Sequence, residues 1–412
     1  MKQSFLFTKT IKELPKDETS YNAQVLMRAG FIDKVGAGIY TFLPLGLKVL
    51  HKINDIIREE INAVSGQEIL MPALNPNENW QKTGRWDDLD VLFKLTGSDD
   101  KEYALGATHE EIVTPLGQKF TLSYKDLPFA VYQIQTKFRN EKRAKAGLLR
   151  GREFVMKDLY SFHTDEESLK EYYNIVKEAY IKIYNRLGLG DLTYFTYASG
   201  GTFSKYSHEF QTICDNGEDI IYVCPKCHIA VNKEIISEQS ACPECGATVL
   251  NEKKAIEVGN IFELQAKYSK AFNFTFKDKD ENSKDVLMGC YGMGPSRIMG
   301  TIVEVCHDDK GIVWPKNIAP FSVHLISLKQ NEEAEKIYQK LLSENIEVLY
   351  DDRDNVSPGE KFADSDLIGC PIRLVVSPKT LSEGKIEFKL RTDNEIKLVD
   401  IDNLSIFLKN YK

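Results

Sequence analysis

No apolar run in this 412-residue chain approaches the roughly 20 residues needed to span a bilayer. The opening segment, Met1-Lys2-Gln3-Ser4-Phe5-Leu6-Phe7, lacks a signal-peptide core, so export is not expected and a cytoplasmic protein is. Positive net charge is missing as well. The balance of −8 argues against a general nucleic-acid coat protein, while local binding stays open because steering depends on where charge sits. Internal repeats and low-complexity segments are absent. What remains is ordinary for a globular protein: 42% hydrophobic, 28% charged, and long enough for about two to four domains.

The eight cysteines are unevenly spread. Cys214, Cys290, Cys306 and Cys370 stand alone. The others form Cys224-Pro225-Lys226-Cys227 and Cys242-Pro243-Glu244-Cys245, with fourteen residues between the pairs. Each turn offers two thiolates, and two turns complete a tetrahedron, so this is zinc-ribbon spacing. Four thiolates leave no open coordination position, which points to a structural ion and not a catalytic one. A redox pair or an empty remnant is the alternative; disulfides would need an oxidising compartment.

Residues 17–29 read as a helix closed by Gly30. Pro44 to Val64 carries Leu45, Val49, Leu50, Ile53, Ile56, Ile57, Ile61 and Val64 at helical spacing, capped by Gly66. A short β-run, Glu68 to Met71, stops at Pro72. Ala130–Arg139 alternates as a strand, residues 140–147 are polar, and Leu148–Lys157 returns as a second strand. Lys137 to Arg152 holds seven basic residues and one acid, so the hairpin tip is basic. Thr164-Asp165-Glu166-Glu167 opens a helix that runs to about Leu187, with Gly188 as its stop. Strands follow at 191–197, 209–222, 256–264 and 286–291, then a helix at 296–306. Antiparallel strands with surrounding helices give an α+β class. Past Trp314–Pro320 the pattern changes to strand, helix, strand, helix, strand, a small α/β domain with a mostly parallel sheet.

Three stretches carry chemistry. Phe138-Arg139-Asn140-Glu141 is followed by Arg150, Arg152 and Phe154, and far downstream lies Gly292-Met293-Gly294-Pro295-Ser296-Arg297. One arginine can grip an α-phosphate together with a carboxylate, and a second can neutralise outer phosphates. A glutamate can read an adenine amino group, and a phenylalanine can cover the purine face. No single part is specific, since an isolated Gly-x-Gly is mostly turn chemistry.

Taken with Thr108-His109-Glu110, Lys157-Asp158-Leu159-Tyr160-Ser161-Phe162-His163, Gly200-Gly201 and Ser207-His208-Glu209-Phe210, the chain resembles the bacterial-type prolyl-tRNA synthetases, class II enzymes. Met288-Gly289-Cys290-Tyr291 and Gly311-Ile312-Val313-Trp314-Pro315 match too. The resemblance implies a catalytic domain at 1–217 and 258–317, a short four-cysteine insert at 218–257, and an anticodon-binding domain at 318–412. It implies ATP with Mg²⁺, L-proline and tRNA(Pro) as ligands, and a homodimer built on the helix at 44–64.

By the same resemblance, Arg139 contacts the prolyl carboxylate and the α-phosphate, and Arg297 holds the γ-phosphate. Glu141 meets adenine, Phe154 stacks on it, and Arg150 joins the ATP side. Thr108 and Glu110 grip the proline ammonium, while Met156, Tyr160 and His163 line its pocket. Thr202 and Ser204 reach ATP or proline from a loop about two residues longer than the usual pattern, and Glu209 is a possible Mg²⁺ ligand. Lys142, Arg143 and Lys145 approach the acceptor stem, or are a plain solvated charge run. Arg353, Lys361 and Phe362 meet anticodon bases, or are ordinary surface residues.

One departure stands out. Bacterial enzymes of this kind usually carry a large editing domain between the two ATP motifs, and here that interval is only about forty residues. Editing of alanyl-tRNA(Pro) in cis is therefore not expected. Two other readings remain open: a class II synthetase for another amino acid, and a synthetase-like binding module without catalysis.

Overall fold

The computed structural model describes residues 1–14, 18–200 and 206–409. Packing divides the chain into two compact units, one of residues 36–39 and 53–301, the other of residues 1–35, 40–52 and 302–412. Both chain ends thus belong to one unit. The first residues pair with a strand far downstream: the Tyr350 N–H donates to the Met1 carbonyl at 2.8 Å.

The larger unit holds a nine-stranded sheet. Its strands are β1 (Gly66–Glu68), β2 (Phe129–Phe138), β3 (Glu153–His163), β4 (Thr193–Ser199), β5 (Tyr206–Ile213), β6 (Asp219–Val223), β7 (Ile229–Asn232), β8 (Asn251–Gln265) and β9 (Leu287–Met293). The order across the sheet is β5-β4-β7-β6-β8-β9-β3-β2-β1, and β5 also pairs with β8. Neighbours are antiparallel except β1–β2 and β7–β4. The expected single strand 209–222 is two strands, because residues 214–218 turn: the Gly217 N–H donates to the Cys214 carbonyl at 3.0 Å.

Helix α1 (Pro44–Ala63) buries Leu45, Val49, Leu50, Ile53, Ile56, Ile57 and Ile61, the stripe that its 3.6-residue period dictates. It is not closed by glycine. Ser65 takes the left-handed conformation at φ 64°, and Gly66 starts β1. There a side chain would meet the Ile61 carbonyl oxygen at 3.0 Å and the Tyr132 ring at 3.3 Å. The run 68–71 pairs only through Glu68, after which Ile69 makes one more bond to the Tyr132 carbonyl.

Helix α2 (Glu110–Phe120) and helix α3 (Glu166–Arg186) belong to the same unit. Asp165 caps α3 by accepting from the Ser168 N–H at 2.9 Å, and Gly188 ends it at φ +76°. Alternation along β3 sends successive side chains to opposite faces. Phe154, Met156, Asp158 and Tyr160 line cavities on one face. On the other, Lys157 bonds Tyr180 and His163 meets Ser168 and Tyr172, all from α3. Helix α4 (Pro295–Val305) follows β9.

The second unit contains a five-stranded sheet with β10 (Val323–Ser327), β11 (Val348–Asp351), β12 (Ile372–Val376), β13 (Lys385–Leu390) and β14 (Lys397–Asp400), in the order β11-β10-β12-β13-β14. Helices α5 (Asn331–Ser343) and α6 (Pro358–Ile368) make the two crossovers. The first three strands are parallel, and β13 and β14 are antiparallel. The three expected strands thus form a parallel core, and β13 and β14 extend it antiparallel because their connections are too short for crossovers.

Ile57 is fully buried in α1, so Ile57→Ala is expected to destabilise its unit by about 2–5 kcal/mol. Urea unfolding followed by a probe in this unit checks the value; a shift well under ~1 kcal/mol would contradict the packing described.

Candidate active site

The β2–β3 hairpin delivers the first charged groups. Arg139 follows β2, and its backbone N–H donates to the Arg152 carbonyl at 2.8 Å. Its guanidinium lies 5.3 Å from the Phe154 ring centroid and reaches the Ala107 carbonyl at 3.4 Å. Arg152 Nε donates to the Glu141 carbonyl at 3.1 Å, which ties Glu141 to the base of the hairpin tip. Arg150 lies 4.0 Å from the Glu141 carboxylate and 3.2 Å from Glu218. From α4, Arg297 donates to the Glu257 carbonyl at 2.9 Å and meets its carboxylate at 3.4 Å.

These groups surround a cavity of about 100 Å³ lined by Arg139, Glu141, Arg150, Phe154, Glu257 and Arg297 among others. Gly292 also lines it, where any side chain would meet Asn260 Oδ1 at 2.7 Å. Burial, and then the charge of Arg297, pushes the Arg139 pKa down. An anion between the two guanidiniums relieves that repulsion.

A second cavity, of about 420 Å³, shares Arg139, Glu141, Met156, Asn260 and Gly292 with the first. Thr108, Glu110, Tyr160 and Cys290 line it too. The Thr108 hydroxyl donates to the Glu110 carboxylate at 2.5 Å, and Cys290 Sγ lies 3.5 Å from the other carboxylate oxygen. Arg85 bridges Glu110 at 3.3 Å and Glu111 at 2.9 Å. Burial raises the Glu111 carboxyl to about 7, against the pull of Arg85.

Beneath this floor is a buried ionic network. The Lys137 ammonium pairs with the Asp158 carboxylate at 2.8 Å and donates to His109 Nδ1 at 2.6 Å. His109 Nε2 faces the Pro72 carbonyl at 3.0 Å, which makes it the protonated nitrogen. Burial, then the Lys137 charge, lowers the His109 pKa to about 4, so the ring stays neutral. The His109 backbone N–H donates to the Tyr160 hydroxyl at 3.0 Å. Thr108 and Glu110 are thus held from below by the residue between them.

One cleft therefore brings together Thr108, Glu110, Arg139, Glu141, Arg150, Phe154, Met156, Tyr160 and Arg297. His163 is elsewhere: as an odd-numbered residue of β3 it faces α3, not the pocket. Lys361 is buried and donates to the Ser327 carbonyl at 2.8 Å and the Asp351 carbonyl at 3.3 Å. An ammonium spent inside the fold cannot pair with an anticodon base. Arg353 is likewise tied to Asp351 at 2.7 Å and Asp364 at 2.8 Å, and Phe362 lies under the Arg373 guanidinium at 4.9 Å. Lys142 pairs with Asp90 at 3.0 Å, and Arg143 and Lys145 are exposed. Thr202 and Ser204 lie outside the described residues.

Sequence reasoning gave no role to Arg85, Lys137, Glu257 or Asn260. Strand parity was the available signal for Asp158, two residues from Met156 and Tyr160. Arg85 and Glu257 carry no local signal, because their partners are distant in the chain.

The four paired cysteines do converge. Their sulfurs all lie within 4.8 Å of one another, with Cys227–Cys242 at 3.2 Å and Cys224–Cys245 at 3.6 Å. Tetrahedral thiolates around zinc are roughly 3.8 Å apart for Zn–S bonds of about 2.3 Å, so the set fits that ion. The Lys226 N–H lies 3.4 Å from Cys224 Sγ and lowers that thiol, while burial and the neighbouring sulfurs raise Cys227.

Residues 93–306 match the tRNA synthetase class II core domain (G, H, P, S and T), and residues 318–411 match an anticodon binding domain. The proline–tRNA ligase of Wolbachia pipientis wMel is 40% identical over 418 positions, covering 98% of each chain. That of Dehalococcoides mccartyi strain BAV1 is 32% identical over 558 positions, again covering 98% of each, and that of Persephonella marina is 34% identical over 564 positions, covering 99% of this chain and 100% of the other. The last two carry segments that this chain lacks. The fold matches a prolyl-tRNA synthetase from Cryptosporidium parvum complexed with L-proline and AMP, with TM-score 0.77, 19% identity, and coverage of 95% of this chain and 74% of that one. Similarity of this extent along the whole chain, over a cleft with two facing arginines, makes the protein a member of the proline–tRNA ligases, a family of class II aminoacyl-tRNA synthetases.

Proposed function

We propose that the cleft joins L-proline to ATP as prolyl-adenylate and then passes the prolyl group to tRNA(Pro). The observation that carries this reading is the shared wall between the two cavities, with Arg139 at the junction. An oxygen of the proline carboxylate attacks the α-phosphorus, the bond to the β-phosphate oxygen breaks, and pyrophosphate leaves. The terminal ribose hydroxyl of tRNA then attacks the prolyl carbonyl and AMP leaves. No protein nucleophile is needed. Arg139 holds two anions together and neutralises charge that grows on the α-phosphate oxygens.

Glu110 accepts one hydrogen of the proline secondary ammonium. The Thr108 hydroxyl, whose own proton goes to Glu110, accepts the other. Arg297 meets the outer phosphates, and Phe154, Glu141 and Arg150 surround the adenine. Mg²⁺ carried with ATP supplies further neutralisation of the phosphates. Glu257 and Glu209 are the acids suited to hold it, since burial and then the Glu257 charge push the Glu209 carboxyl up to about 8, a crowding that a divalent cation relieves.

Three further proposals accompany this one. Cys224, Cys227, Cys242 and Cys245 hold one structural zinc. The enzyme works as a cytoplasmic homodimer; among the described residues no helix is long and apolar enough to cross a membrane, and Leu70, Phe120 and Leu122 of the larger unit are exposed apolar side chains suited to an interface. Alanyl-tRNA(Pro) is not cleared in cis, because the segment between β5 and β8 is a strand pair and two cysteine turns, not a hydrolytic domain. A proline pocket gains only roughly 1–3 kcal/mol against alanine for each missing methylene.

Proline-dependent ATP–pyrophosphate exchange tests the main reading. Arg139→Ala is expected to lower kcat/KM by about 10²–10³. Glu110→Gln is expected to raise the KM for proline by on the order of 100-fold with little change for ATP. Exchange driven by another amino acid, with none for proline, would replace this substrate. Supplied alanyl-tRNA(Pro) should decay at the rate of the buffer control; fast hydrolysis by the enzyme refutes the absence of editing. Elemental analysis should find about one zinc per chain, lost in Cys242→Ser.

A further inference from the structure

The short insert closes a ring of strands inside the catalytic sheet. Strands β4 and β5 pair, β5 pairs with β8, β8 with β6, β6 with β7, and β7 returns to β4. The β6–β7 hairpin is the member that the insert supplies. Its turn is the first cysteine pair: the Cys224 N–H donates to the Ile229 carbonyl at 2.8 Å, one bond beyond the ladder. Its inner side packs Ile221, Val223 and Ala230 against Ala255.

The far end of the same hairpin reaches the ATP side. Asn232, last in β7 and 6% exposed, donates through Nδ2 to Glu209 at 3.2 Å and accepts the Glu234 N–H at 3.1 Å through Oδ1. Both ends of its amide are used, so its orientation is set. Asp219, first in β6, accepts from Gln211 at 2.9 Å, and Gln211 donates to Glu209 at 2.9 Å. In the β5–β8 ladder Gln211 stands opposite Glu257 and Glu209 opposite Asn260. Asn260 donates to Glu257 at 2.8 Å, and Glu257 holds Arg297. About 13 Å of two-stranded ribbon, roughly four residues at 3.3 Å each, separates the cysteine turn from this polar cluster.

We propose that the four-cysteine insert is a positioning device for the ATP site: the metal-held hairpin sets Glu209 through Asn232, and Glu209 with Asn260 sets the Glu257–Arg297 pair. The inference rests on the reading of the Arg297 cavity as the ATP site. Asn232 is a positioning residue that touches neither ATP nor proline.

The test compares Asn232→Leu, which keeps the branched shape and heavy-atom count of the side chain, with the parent enzyme, each with and without zinc removed by a chelator. Zinc content, ATP binding by calorimetry in the presence of Mg²⁺, and KM for ATP and for proline are measured. Asn232→Leu is expected to keep its zinc, weaken ATP about tenfold, and leave the KM for proline within about twofold. Zinc removal is expected to weaken ATP in the same sense, and the substitution to add little in the zinc-free protein. ATP affinity unchanged in Asn232→Leu overturns the proposal, and so does zinc loss that weakens proline as much as ATP. If zinc-free protein unfolds, the zinc-loaded variant alone decides. ATP binding is read without turnover, so an enzyme that binds ATP as described but fails proline-dependent exchange refutes the substrate reading and leaves this inference standing.

Discussion

The ammonium of Lys137 is fully buried in the middle of the catalytic unit, and the site is arranged around that charge. Taking an ammonium out of water costs several kcal/mol, and only good partners offset it. Asp158 supplies the counter-charge and His109 supplies a lone pair, which forces the His109 proton onto the nitrogen that faces Pro72. Because His109 lies between Thr108 and Glu110, fixing its ring fixes the turn that presents those two groups. Because Lys137 is on β2, the same bond ties that turn to the strand that leads into Arg139. The Thr108–Glu110 side and the Arg139 side of the cleft are therefore tied to one buried ion pair.

Above that network the electrostatics are unbalanced in a useful direction. Arg139 and Arg297 face one cavity, and the nearest fixed acids, Glu257 and Glu141, are engaged with Arg297 and lie near Arg150. An anion entering the cavity meets two half-buried guanidiniums, Arg297 already held by Glu257 and Arg139 packed on Phe154. On the other side Glu110 and Glu111 share Arg85, which partly offsets the repulsion between two adjacent buried carboxylates. The neutral, burial-shifted state of His109 belongs to the same economy, since a second cation beside Lys137 would have no partner.

Much of this was legible in the residues themselves. The helical stripe of α1, the β2–β3 hairpin, the capping of α3 and the cysteine spacing all follow from local periodicity or turn chemistry. Arg139, Glu141, Phe154 and Arg297 stood out because each matched a recognisable short stretch. Less visible was anything set by parity or by distant pairing. His163 belongs to the same motif as Tyr160 yet points away from the pocket, because three steps along a strand reverse the face. Lys361 reads as a surface cation in a helix start, but its stem crosses the fold to the ends of β10 and β11. Glu209–Tyr222 reads as one long strand until a turn at Gly217 brings it back beside Ala255.

By itself the sequence determined which chemical groups are available, the period of each element and the sulfur count for a tetrahedral site, because these depend on neighbours within a few residues. Only the tertiary structure decided which of those groups share a cleft. Arg85 with Glu111, Arg297 with Glu257, and Asn232 with Glu209 meet across strand and helix pairings that no local pattern encodes. The physical reason is that a side chain's face is set by sheet register, and register is settled by what the whole sheet buries.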